Sequence, residues 1–159
     1  MFENFSDEAN IWIFGFKNKL DKSKSEIVDS FVENFVAHWH SHRTPVQGAY
    51  KIIENQFVVL VAEDSVSGCS IDNTFGVFKE LKHNYDLDAL NQGLIYFKRD
   101  KIIEVLERSD FQKLVDENKI SADTTVYDLT ITKLRQFRAG MWNRPFSKSW
   151  QWKAFKKSA

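Results

Sequence analysis

Cysteine is almost missing from this chain: Cys69 stands alone among 159 residues. One thiol cannot close an internal disulfide, so the small secreted folds stapled by bridges are excluded and a reducing cytoplasm is expected. Proline and glycine are scarce too, at two and six residues. No linker, repeat or low-complexity tract divides the chain, and one domain over residues 1–159 is expected. Long apolar runs are absent. None approaches the ~18 residues that a membrane helix needs, so no membrane partner is expected. The start, Met1-Phe2-Glu3-Asn4-Phe5-Ser6-Asp7-Glu8, is acidic and lacks the basic-then-apolar order of a signal peptide. There is no Gly-x-x-x-x-Gly-Lys-[Ser/Thr] loop, no Gly-x-Gly-x-x-Gly and no Gly-x-Ser-x-Gly. Those absences argue against P-loop phosphate chemistry, dinucleotide binding and the nucleophile elbow.

A surplus of either charge is missing as well, but the formal net charge of zero hides a split. Residues 133–159 hold eight Lys or Arg and no acid, which leaves the first 132 residues at −8. Apolar residues make up 43% and aromatics 14%, enough for a real core. The most apolar stretch is Phe57-Val58-Val59-Leu60-Val61-Ala62. It has no polar alternation and reads as a central strand covered on both faces. Asn10–Phe16 reads as a first strand. Ser23-Lys24-Ser25-Glu26 matches a capping box, and Ile27, Val28, Phe31, Val32, Phe35, Val36 and Trp39 follow at helical spacing. Residues 46–53 and 57–62 form a hairpin. Ile71, Phe75, Phe78 and Leu81 line a second helix, with Ser70 or Asp72 as its N-cap. Residues 94–98 and 101–106 form a second hairpin, and Ser109 caps a short helix. Residues 124–141 fit both a strand and a helix. The order is βαββαβ. It predicts an α+β fold: a ferredoxin-like two-layer sandwich, one antiparallel sheet with both crossover helices on one face, plus a C-terminal helix and a basic aromatic extension.

The stretch that gathers the most chemistry is Glu63 to Asp72. A strand emptying through a Gly/Ser loop into a helix start is a place for an anion or a reactive thiol. Asp64, Ser67, Gly68, Cys69, Ser70 and Asp72 are the candidate ligand-binding residues there, and a small anion is the expected ligand. Three neighbouring carboxylates oppose ionisation of Cys69, so the thiol is expected to be neutral at pH 7. His38 and His42 are added because they stand four apart on the first helix. Histidines at a helix C-terminus also cap its carbonyls. With no cysteine pair and no His-Glu-x-x-His, no metal is assigned, and neither a cofactor nor a catalytic residue. The alternative function lies at the other end. In residues 133–157, Lys and Arg are interleaved with Phe137, Trp142, Phe146, Trp150, Trp152 and Phe155. That pattern suits RNA or a protein partner if the rings are exposed, and simple packing over an acidic body if they are not.

Trp39-x-x-His42, the strand end Val61–Asp64 and above all Ser67-Gly68-Cys69-Ser70-Ile71-Asp72 resemble a family of short bacterial proteins of unknown function. Thr125 onward and Ser149-Trp150 extend the likeness over most of the chain. Some members are labelled "ABC transporter ATPase". This sequence has neither a Walker A loop nor a Leu-Ser-Gly-Gly-Gln signature, so that label is not carried over. In the family pattern a histidine follows the C-terminal tryptophan; here Gln151 stands there. The resemblance implies no activity.

Overall fold

All six residues of Phe57–Ala62 are buried, and the rest of the chain is layered to cover them on two sides. The computed structural model describes residues 1–63 and 68–156, with the backbone alone at 68–71. In chain order the elements are β1 (Asn10–Gly15), α1 (Lys22–Ala37), β2 (His40–Ser41), β3 (Thr44–Pro45), β4 (Gly48–Ile53), β5 (Phe57–Ala62) and α2 (Gly68–Tyr85). Then follow β6 (Leu94–Arg99), β7 (Ile102–Glu107), α3 (Arg108–Asp116), β8 (Thr125–Tyr127), α4 (Leu134–Arg138), β9 (Asn143–Pro145) and α5 (Trp150–Phe155), with one 3-10 turn at Phe146–Lys148. The fold is α+β, and its strand pairs are antiparallel.

The strands form two main sheets. One has the order β1-β5-β4 and the other β7-β6-β8-β9, while β2 and β3 make a separate small ribbon. Side chains alternate across a strand, and here each face of β5 has its own partner. Val58, Leu60 and Ala62 pack with Phe14 of β1 and with Val28, Val32, Phe78 and Leu81 of α1 and α2. Phe57, Val59 and Val61 pack with Ile11 and Ile13 of β1 and with Leu94, Tyr96 and Tyr127 of the second sheet. The far face of that sheet, Ile95, Phe97 and Val126, is covered by Phe111 and Val115 of α3 and Phe155 of α5. The layers therefore run helix, sheet, sheet, helix.

This corrects the expected ferredoxin-like single sheet. The two crossover helices do share one face, and β5 is central. But β6 pairs with β7 and β8 instead of β1, because it too is buried on both faces along Leu94–Phe97. Two strands without polar alternation each require cover on both sides, and stacking two sheets provides it. Other boundaries shift for local reasons. Asp21, not Ser23, caps α1, accepting from the Lys24 N–H at 2.8 Å. Helix α2 begins at Gly68, so Ser70 and Asp72 lie inside its first turns. Helix α3 starts from Glu107 without a side-chain cap. Residues 124–141 satisfy both readings in turn, a strand at Thr125–Tyr127 and a helix at Leu134–Arg138.

Candidate functional site

Strand β1 is an edge of the first sheet, and the chain after β8 runs beside it. The Phe16 N–H donates to the Gln56 carbonyl at 2.9 Å and the Ile11 N–H to the Thr132 carbonyl at 3.1 Å. Antiparallel alternation therefore points the backbone N–H and C=O of the even residues of β1 toward β5 and those of the odd ones outward. Lys133 closes this contact, its Nζ donating to Asn10 Oδ1 at 2.9 Å and to the Glu8 carbonyl at 3.1 Å. Farther along β1 a cavity of about 390 Å³ is lined by Ile13 and Gly15 of β1 and by Leu129 and Thr130 of the chain after β8. Ala89–Gln92 and Phe75 of α2 border it on one side, and Tyr96, Tyr127 and Gln151 on another.

Most of the lining is apolar, and none of the described residues that form it is charged. Three polar side chains there are almost wholly buried: Tyr96 and Tyr127 are each 3% exposed and Gln151 1%. Gln151 Nε2 donates to the Tyr127 carbonyl at 2.9 Å. Its Oε1 and the Tyr96 hydroxyl have no hydrogen-bond partner among the described residues. Buried polar atoms are nearly always paired; these two orphans belong to residues that line the cavity but are themselves sealed off from it. Gly15 brings the Tyr96 ring close. A Cβ on Gly15 would lie 2.6 Å from Tyr96 Cζ and 2.7 Å from its Oη. Burial, and then the negative charge of Asp88, push the Tyr96 phenol well above its ordinary value; it is neutral and keeps its proton to donate. Tyr127 is satisfied by contrast: its hydroxyl donates to Glu54 Oε2 at 2.9 Å, and Lys98 Nζ donates to Glu54 Oε1 at 2.7 Å.

Other hollows hold less chemistry. A wider groove of about 810 Å³ along α1 and β4 is lined by solvated charges, and its Tyr50 hydroxyl already donates to Asp29 at 2.7 Å. The third buried orphan, Trp39 Nε1, stands alone beside a cleft between α1 and α2.

The residues singled out in the sequence scatter. Asp64 and Ser67 lie outside the described residues, as do the side chains of Gly68, Cys69 and Ser70. Asp72 is exposed on α2. Glu63, which precedes the loop, accepts from the Ser6 backbone N–H at 2.8 Å. His38 and His42 do not share a helix face, because α1 ends at Ala37. His38 caps that end, its Nδ1 donating to the Asn34 carbonyl at 2.9 Å. His42 sits in the tight β2–β3 turn with φ +51°. Among the described residues no group of three His, Cys, Asp or Glu could hold a metal. At the basic end, Trp142, Phe146 and Phe155 are buried. Arg138 pairs with Asp7 at 2.7 Å, and Arg135 pairs with Glu8. Tyr96 and Gln151 carried no sequence signal as ligand groups. The one trace was a glutamine set between two tryptophans, Trp150-Gln151-Trp152.

Fold and cavity together define an α+β protein of two stacked sheets with a ligand-sized hollow between them. No family model, curated protein or solved structure matches the chain, so the likeness carried by Ser67–Asp72 stands on the sequence alone.

Proposed function

We propose that this protein binds a small organic molecule in the cavity between its two sheets. The observation that carries the reading is the hollow itself, about 390 Å³ between the two sheets, walled mostly by apolar side chains with Asn91, Gln92, Thr130 and Thr132 among them. An apolar pocket with a few convergent polar groups is the usual form of a small-molecule site. The expected anion site at Ser67–Asp72 is not carried into this reading, since it lies mostly outside the described residues. Of the C-terminal rings only Trp150 is exposed, which lends the RNA alternative little support, because stacking on bases needs exposed faces.

The test is a titration of isotope-labelled protein with indole, a neutral ring bearing one N–H donor. Saturable amide shifts confined to residues 11–15, 89–96 and 127–132 are expected. Absence of saturable shifts, or shifts centred on the α1–β4 groove, would refute the reading.

A further inference from the structure

We propose that β7 is the seam of a symmetric dimer: two copies of this chain pair their β7 strands antiparallel, about a two-fold axis at Glu104, and join their four-stranded sheets into one. No β7 residue lines the cavity between the sheets, so the seam and the ligand site are independent.

The first support is an open edge. Strand β7 ends the order β7-β6-β8-β9. The two-residue turn Asp100-Lys101 has φ +51° and +67°, which makes Arg99 and Ile102 a hydrogen-bonded pair. Such pairs recur at every second residue. Ile102, Glu104 and Leu106 thus spend their backbone groups on β6, while Ile103 and Val105 aim theirs outward. Among the described residues, neither Ile103 nor Val105 makes a backbone hydrogen bond to anything outside the sheet. A strand edge in that state is a template for another strand.

The second support is incomplete burial. Four of the six residues of β7 are apolar, yet none of them is buried. Ile102 is 66% exposed, more than any other large apolar side chain among the described residues. Ile103, Val105 and Leu106 are half-buried at the rims of two cores. By contrast Leu94–Phe97 of the adjoining β6 are all buried.

The third support is charge complementarity, and it selects both the partner and the register. About an axis at Glu104, Ile103 faces Val105 of the second copy, Ile102 faces Leu106, and Lys101 faces Glu107 at the strand ends. This register makes Ile103 and Val105 the hydrogen-bonded pairs, as their outward backbone groups require. Lys101 and Glu107 are exposed, and neither has an ion-pair partner among the described residues. Two Glu104 side chains meet on the axis, but each is already neutralised. Arg99 Nε donates to Glu104 Oε2 at 2.5 Å and Nη2 donates to Oε1 at 2.7 Å. Other edges suit a second copy less. Strand β9 has only three residues, and β4 carries Lys51 as its one charge, so two copies would bring together lysines and no acid.

A seam of one six-residue strand per copy belongs to the small, transient class of interfaces, under about 1,200 Å², so half-association is expected between micromolar and millimolar protein. The experiment is sedimentation velocity of the full chain over that range, at low salt, where exposed charge pairs are least screened. It compares the wild type, Lys101→Glu, Glu107→Lys and the double variant. The wild-type sedimentation coefficient is expected to rise with concentration toward that of a dimer. Each single reversal turns both symmetry-related pairs into like charges and should weaken association roughly tenfold. The double variant restores opposite charges and should return to within about twofold of the wild type. Both positions are exposed, and unchanged far-UV circular dichroism verifies the fold. A wild type that stays monomeric to millimolar concentration would overturn the dimer. Association that the single reversals leave unchanged, or that the double variant fails to restore, would overturn this seam.

Discussion

Glu54 shows how one residue can hold together parts of the chain that lie far apart in sequence. It sits in the β4–β5 turn with φ +53°, yet its carboxylate accepts from Lys98 on β6 and Tyr127 on β8. It thus ties a turn of the first sheet to the middle of the second. Burial works against ionisation of Glu54, but the hydrogen bonds from Lys98 and Tyr127 outweigh it and hold the carboxyl below its usual range. A carboxyl lowered in the folded state contributes stability that is present above its unfolded value, about 4.3, and is lost as pH falls through the folded one. Urea midpoints measured across the acid range should therefore drop below about pH 4.3. In Glu54→Gln that decline should be shallower. An equally steep acid limb in the variant would show that the group contributes nothing there. Side-chain exposure of Glu54 is 36%, so solvent screening keeps the effect modest.

The two crossover helices cover one face of the first sheet, but their phenylalanines are not equivalent. Phe78 of α2 is 1% exposed and stacks on Phe14 with ring centroids 3.9 Å apart. Phe35 of α1 packs against Trp39 and is only half-buried. Helical spacing places both on the inner stripe. It does not say which of them sits under the sheet and which at its rim. Phe78→Ala should cost about 3–5 kcal/mol, as for a fully buried ring. Phe35→Ala should cost less than half of that, because its ring is already partly in water. Chemical denaturation of the two variants measures the difference, and equal losses would contradict the burial that separates them.

Taken whole, the molecule resolves its own charge split. The acidic start of the chain lies against the basic end, through Arg135 with Glu8 and Arg138 with Asp7. Arg138 also donates to the Phe2 and Phe5 carbonyls at 2.8 and 2.7 Å, so it organises the N-terminal turn besides pairing with it. A segment whose arginines are engaged and whose rings are buried or half-buried, with Trp150 alone exposed, is a weak platform for single strands. Fluorescence anisotropy of labelled poly(U) should stay flat when the protein is added at near-physiological salt. A saturable rise, abolished by neutralising Lys148, Lys153 and Lys156, would instead promote the RNA reading. Among the described residues no helix is long and apolar enough to cross a membrane.

Local order was legible wherever one periodicity dominated. The run Phe57–Ala62, the helical stripe from Ile27 and the two hairpins all appear at or near their expected places, because burial on one or both faces leaves a periodic trace in the sequence. Residues 124–141 were ambiguous since Val126 and Leu129 fit both periods, and the chain does change period inside that stretch. Which sheet β6 joins was not legible, because a strand buried on both faces reads alike in any sheet. Nor was the cavity. Tyr96 lies in the run Leu94-Ile95-Tyr96-Phe97 and looks like any core aromatic; only packing against Gly15 buries its hydroxyl without a partner. Gln151 is 55 residues away, and α5 alone brings it there. Sequence by itself determined the longer elements up to Asp116 and the class of fold, since propensity and periodicity act over a few neighbours. Tertiary structure decided the stacking of the sheets and the pairing of two orphaned polar atoms, because both depend on which buried faces meet.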